Sequence, residues 1–477
     1  MAVTLAAAPH ESRARSGAEP WSMLLVLLLG QFMALLDLYI VNIALPRIGT
    51  DLHASGAGLQ LVIGGYTVSY AMSLITGARL GAIFGRRRMY LLGTVGFTVT
   101  SLACGLAPNI VTLIALRAVQ GASAAALVPQ IMSMIQMQFR GPARAKALSA
   151  YALVLCVGSI VGLVLGGVLV SANVLHTGWR PVFLVNVPIG VALIALVPRV
   201  VPADRPTGAR RLDLAGLVLA VTAVILVVLP LVLGHELGWP AWAFLCISGG
   251  LILLTLFVRL ERRIGARGGD PLLDLTVLFS PGLRSGLVTL FLVMAGYGCF
   301  LFCFGLHLQS GLGDDPLRAA VTFLPFGVAF GLVAFFWRSL PARLHSMLPA
   351  LGLTLAAAAS VVIALAMRDG GHGGALMWIG TVATGAGVGL TTSLLALSLR
   401  HVPAERAADA SGVVTTTMQL GQVIGVAALG TIYLSRTATG AVRSGAALAN
   451  TSLWVAVVFV TGLASAAALV RAMNRAR

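Results

Sequence analysis

Residues 21–46 read WSMLLVLLLGQFMALLDLYIVNIALP. Roughly 25 apolar-dominated residues are long enough to cross a bilayer as a helix with some tilt. One carboxylate, Asp37, sits inside the run, with Asn42 five residues on. An aspartate at the centre of a spanning helix costs about 2.5–3.5 kcal/mol, so it needs a partner or a task. The chain around this helix reads as its scaffold, partner or gate.

Composition agrees with a membrane protein. Of 477 residues, 58% are hydrophobic and only 10% charged, against about 25% charged in soluble domains. The net charge of +17 rests almost wholly on arginine, Lys146 being the single lysine. Those arginines fall in short loops between apolar segments and form no basic domain, which argues against nucleic acid as a partner. Cys104, Cys156, Cys246, Cys299 and Cys303 all lie in apolar segments, so neither a disulfide framework nor a metal site is expected. Residues 1–20 lack a separate short apolar stretch before a cleavage site, so the first helix reads as an uncleaved anchor.

At about 20 apolar residues per span, fourteen helices are predicted. Their approximate limits are 21–45, 58–80, 89–107, 110–136, 148–171, 182–200, 213–233, 241–259, 286–309, 317–337, 346–367, 374–397, 407–433 and 452–472. Counting arginine over the loops places both termini in the cytoplasm of a multi-pass cell-membrane protein. Inward flanks then hold Arg86–Arg88, Arg140, Arg144, Arg199, Arg205, Arg210, Arg211 and most of the later arginines. A repeat is visible between residues 142–167 and 403–430, where Gly158, Gly162 and Gly167 match Gly421, Gly425 and Gly430 in spacing. Duplicated transporter halves carry such parallel repeats. The expected organisation is an N-terminal tail (1–20), a six-helix half (21–200), two inserted helices with their loop (201–260), a second six-helix half (261–472) and a tail (473–477).

Several signatures stand in order: Leu36–Pro46 (LDLYIVNIALP), Gly77–Arg88 (GARLGAIFGRRR), Leu116–Ala122 (LRAVQGA), Trp179–Gly190 (WRPVFLVNVPIG) and Ala410–Gly421 (ASGVVTTTMQLG). With them the chain resembles the fourteen-helix drug–proton antiporter branch of the major facilitator superfamily. The resemblance implies an all-α membrane fold, alternating access and no cofactor. It also implies a cytoplasmic gate motif at Gly77, Arg79, Gly81, Gly85, Arg86, Arg87 and Arg88, and a helix-packing antiport motif at Gly158, Gly162, Gly166 and Gly167. Two departures stand out. Ala82 replaces the gate motif's usual aspartate, so the latch is weaker or built differently. Leu163 replaces the usual proline after glycine in the antiport motif.

Asp37 and Arg117, each about 12 Å from the outer face along its helix, form the candidate proton-coupling pair. Structural pairing alone would place them identically, and both readings stay open. The arginine run 86–88 also serves as a plain topology signal, and the glycines at 158, 162 and 166 as a packing stripe. Asn42, Gln120, His307 and Gln309 are candidate substrate contacts, interfacial placement being the plainer reading. The chain has no GxxxxGK[ST], GxSxG or HExxH motif, so an enzyme is not expected. The expected function is proton-coupled export of a hydrophobic drug-like or secondary-metabolite compound by a monomer in the lipid bilayer. Proton-coupled uptake on the same fold and a membrane sensor are the alternatives.

Overall fold

A computed structural model describes residues 20–173, 177–204, 213–234, 236–267, 269, 271, 275–400, 402, 407–436 and 441–475. Most of the N-terminal tail, loop residues Arg205, Arg210 and Arg211, and the 403–406 part of the repeat lie outside the described residues. The described chain is helical: α1 Pro20–Asp51, α2 Gly56–Phe84, α3 Arg86–Gly105, α4 Ile110–Gln138, α5 Gly141–Ala172, α6 Pro181–Leu184, α7 Asn186–Val200, α8 Leu214–Leu233, α9 Ala241–Ala266, α10 Leu283–Leu306, α11 Pro316–Phe336, α12 Leu348–Met367, α13 Gly374–Thr391, α14 Ser393–Ser398, α15 Ala407–Arg436 and α16 Ala441–Arg475. A π-turn, His307–Gly311, extends α10.

Among the described residues twelve helices are long and apolar enough to cross a membrane, or up to thirteen with the bent pair Gly56–Leu74 and Thr76–Phe84 taken as one span. The expected count of fourteen is therefore not reached on length and apolarity. The shortfall falls on α3, which opens on three arginines and buries Thr94, Thr98, Thr100 and Ser101. Its hydroxyls are satisfied within the bundle: Thr94 and Thr98 each donate to the carbonyl four residues back, and Ser101 donates to Phe183 O at 2.9 Å.

Helix α1 runs six residues past its expected end, through Pro46 to Asp51. A proline inside a helix forfeits one backbone bond and does not always stop it. Asp51 is then clamped by Trp179 Nε1 at 2.8 Å and Arg180 Nη1 at 2.9 Å, which ties α1 to the segment leading into α6. The expected sixth span is broken at Val185 into α6 and α7.

The glycine repeat is a packing repeat. Cβ atoms added at Gly158, Gly162 and Gly166 would stand 3.2 Å from Leu35 Cβ, 3.0 Å from Tyr39 Cβ and 2.9 Å from Ile40 O, so α5 lies directly on α1. In the same way a Cβ at Gly421 would meet Phe291 O at 2.5 Å, and one at Gly425 would collide with Ala295, so α15 lies on α10. Apolar lipid gives helices little hydrophobic drive to associate, and small residues gain van der Waals contact by letting backbones close up. The last glycine of each set reaches the opposite set of helices: Gly167 abuts Pro316 and Ala320 of α11, and Gly430 abuts Gln60 of α2 while still lying against Phe302 of α10. The stripe at 158, 162 and 166 thus packs within the N-terminal set (α1–α7), whereas Gly167 sits where that set meets α10–α16. Helices α8 and α9 pair with each other, and α8 lies against both α2 and α15 around Ala71, Met72, Val224, Val228 and Val423.

Candidate functional site: a buried carboxylate–guanidinium cluster

Asp37 and Arg117 meet. Arg117 Nη1 lies 2.5 Å from Asp37 Oδ2, with Asp37 fully buried and Arg117 1% exposed. Neither charge would be tolerable here alone, and the pair is held by further hydrogen bonds, as a buried ion pair requires. Arg117 Nη1 also donates to Gln120 Oε1 at 2.8 Å, and Arg117 Nε to Val62 O at 3.3 Å. The guanidinium lies over the Tyr66 ring, 4.3 Å from its centroid, with Phe183 at 5.6 Å. Cation–π contact of this kind is strongest where water is absent.

The other carboxylate oxygen, Asp37 Oδ1, accepts from Gln120 Nε2 and from Asn186 Nδ2, each at 3.0 Å. Ser101 Oγ joins both amides, at 3.2 Å from Gln120 Nε2 and 3.0 Å from Asn186 Nδ2. Five side chains from α1, α3, α4 and α7 therefore form one connected network without exposed members. A proton placed on Asp37 would weaken the contact to Arg117 and change what the two amides face, so the cluster is chemically able to report a protonation event.

The structure brings together Asp37, Arg117 and Gln120 and leaves the other candidates elsewhere. Asn42 donates to Leu38 O of its own helix at 3.1 Å. His307, in the π-turn, shares a hydrogen with Ser444 Oγ at 2.8 Å, and Ser444 reaches Tyr433 at 2.9 Å. Gln309 donates to Ile43 O at 3.0 Å, joining α1 to the far set of helices. Ser101, Tyr66 and Asn186 were not singled out from sequence. Asn186 was the findable one, a lone asparagine within the quoted Trp179–Gly190 run.

The stretch Gly77–Arg88, expected to form a cytoplasmic gate motif, packs against α4 and the end of α7. A Cβ at Gly77 would strike Ala125 O, and one at Gly81 would strike the Gln130 side chain, whose Nε2 donates to Gly77 O at 2.8 Å. Gly85 turns the chain with φ +96, a conformation that favours glycine. Ala82 is half-buried and offers no charge. A carboxylate does reach this stretch from Asp204, which accepts from the backbone N–H groups of Arg86 at 2.8 Å and Arg87 at 3.2 Å and pairs with Arg86 Nη1 at 3.4 Å. Arg87 also donates to Pro198 O at 2.9 Å, Arg88 is exposed, and Arg79 donates to Pro271 O across to the segment before α10.

A many-spanned helical bundle with repeated glycine packing and a neutralised charge pair at its heart has the architecture of a membrane transporter. The chain belongs to the Major Facilitator Superfamily, whose profile matches residues 27–426. It is 36% identical over 443 residues to a probable actinorhodin transporter of Streptomyces coelicolor, covering 91% of this chain and 77% of that protein. A cephamycin export protein of Amycolatopsis lactamdurans is 35% identical, with 85% and 83% covered, and a puromycin resistance protein of Streptomyces alboniger 34%, with 96% and 92% covered. In fold it is similar to a bacterial homologue of the human lysosomal transporter Spinster, solved inward-facing and occupied, with TM-score 0.69, 17% identity and 97% and 99% covered.

Proposed function

We propose that this protein exports hydrophobic drug-like or secondary-metabolite compounds across the cell membrane in exchange for protons. Its relatives named for antibiotic export and resistance support the direction of transport. The observation that carries the coupling is the fully buried Asp37–Arg117 pair, the one ion pair among the described residues that is closed to solvent on both sides. Asp37 takes a proton when the outer side opens, the loaded protein turns inward, and proton release restores the pair as substrate is taken. The small-molecule substrate carries little charge, because a single neutralised pair leaves no counter-ion for a multiply charged one.

In this reading α3 is the span that completes fourteen, both termini are cytoplasmic, and the protein works as a monomer. Residues 21–200 and 261–472 are the two rocking halves, with 201–260 holding the inserted α8 and most of α9, whose last turns run on to Ala266. The test is transport by purified protein in proteoliposomes under an imposed pH gradient. Asp37→Asn keeps shape and hydrogen bonding but fixes the neutral form. It is expected to abolish gradient-driven export while drug binding stays within about tenfold, ~1.4 kcal/mol. Continued concentration of drug against its gradient by Asp37→Asn would return Asp37 to a structural role.

A further inference from the structure

One buried atom in the Asp37 cluster has no partner: Asn186 Oδ1. The same amide uses its nitrogen fully, donating to Asp37 Oδ1 and Ser101 Oγ, each at 3.0 Å. The remaining acceptors near the carboxylate are committed. Gln120 Oε1 takes the Arg117 Nη1 bond at 2.8 Å, and Ser101 Oγ receives two amide groups while donating to Phe183 O at 2.9 Å. Asp37 Oδ2 is held by Arg117 at 2.5 Å.

An ionised carboxylate only accepts, whereas a carboxylic acid adds one O–H donor. A proton arriving on Asp37 Oδ1 would therefore set a donor against the two amide N–H donors of Gln120 and Asn186. The free acceptor within the cluster is the Asn186 oxygen. Half a turn about χ2, a soft torsion for asparagine, exchanges the amide's oxygen and nitrogen and lets the oxygen accept the new O–H. The turn gives the oxygen a partner but takes both amide N–H groups from Asp37 Oδ1 and Ser101 Oγ, and in the present packing they have nothing else to donate to, so the packing around Asn186 must change with it. Asn186 opens α7, directly after the break at Val185, and the Phe183 carbonyl on the other side of that break is bound to Ser101. A change at the amide is thus delivered to the joint between α6 and α7 and to its tie with α3.

We propose that Asn186 is a positioning residue that reads the protonation state of Asp37, its side-chain amide turning over when the carboxylate takes up a proton and passing the change to the α6–α7 joint. The inference rests on Asp37 being the proton carrier. Infrared difference spectra of the full-length protein in lipid, recorded on acidification, test it. The carbonyl stretch of protonated Asp37 is the band lost in Asp37→Asn. In the wild type it is expected at the low frequency of an acid whose O–H donates to an amide oxygen, and in Asn186→Leu, which keeps bulk and removes the acceptor, it shifts to higher frequency. Asn186→Ala is read in the same way if the leucine variant does not fold. A band at the wild-type frequency in whichever variant folds overturns the role of Asn186 while leaving Asp37 as carrier. No band lost in Asp37→Asn overturns the carrier itself, and with it the inference.

Discussion

Asp37 and Arg117 neutralise each other where neither charge could stand alone, so the cost of losing one depends on whether the other is still charged. Arg117→Ala leaves a buried carboxylate uncompensated and is expected to destabilise the purified protein by about 3–5 kcal/mol. Asp37→Asn added to it removes the stranded charge and is expected to recover part of that loss. Thermal unfolding of the two single variants and the double variant makes the comparison, and strictly additive losses would mean the two residues are not one unit. This pair was legible in the sequence because a charge in an apolar run needs a reason, and depth along each helix put the two at one level. Depth says nothing about which way a side chain faces. Asn42, His307 and Gln309 carry the same polar signal as Gln120, yet only Gln120 turns toward Asp37. Ser101 and Tyr66 were invisible for the opposite reason, since serine and tyrosine cost little in a span and seldom stand out.

Among the elements, the α2–α3 hairpin shows a helix start held by a carboxylate distant in sequence. Ala82 brings no charge to the hairpin, and Asp204, from 117 to 118 positions along the chain, supplies an anion to the first N–H groups of α3 and the Arg86 guanidinium. A carboxylate at a helix N-terminus satisfies free donors and the helix dipole together. Asp204→Ala is expected to cost about 1 kcal/mol of stability, and Asp204→Asn less because it keeps hydrogen bonding without charge. Unchanged thermal unfolding in both variants would mean that Asp204 does not hold the start of α3. The helix-on-helix pattern itself was readable, because glycine spacing reports where backbones meet: Gly162 on α1 and Gly425 on α10. The breaks and extensions were not. The end of α1 is set by the distant Asp51–Arg180 and Asp51–Trp179 contacts, and local pattern alone placed it at the proline.

Across the whole molecule, the two sets of helices are joined at Arg79–Pro271, Thr416–Ala71 and Tyr297–Tyr39, and again at the end where α1 finishes and α2 begins. Gln309 reaches Ile43 O at 3.0 Å, Gln60 reaches Val426 O at 3.2 Å, and Leu317 N donates to Ser171 Oγ at 3.0 Å. Gly167 and Gly430, the odd members of their glycine sets, lie in this same seam. A transporter that alternates must part this seam to open the space between the two sets of helices to that side. The seam can be fixed shut by a disulfide. A Cβ on Gly56 would stand 2.7 Å from Leu434 Cδ1, which puts the two positions within reach of the ~3.5–4.5 Å Cβ separation a disulfide needs. Gly56→Cys with Leu434→Cys, in a chain whose five native cysteines are replaced, should cross-link under mild oxidation. Export in proteoliposomes is then expected to stop and to return on reduction, while either single substitution transports under both conditions. Export that continues with the cross-link intact would mean that the seam is a static contact, and that drug leaves the bundle by a route that does not open between α2 and α15.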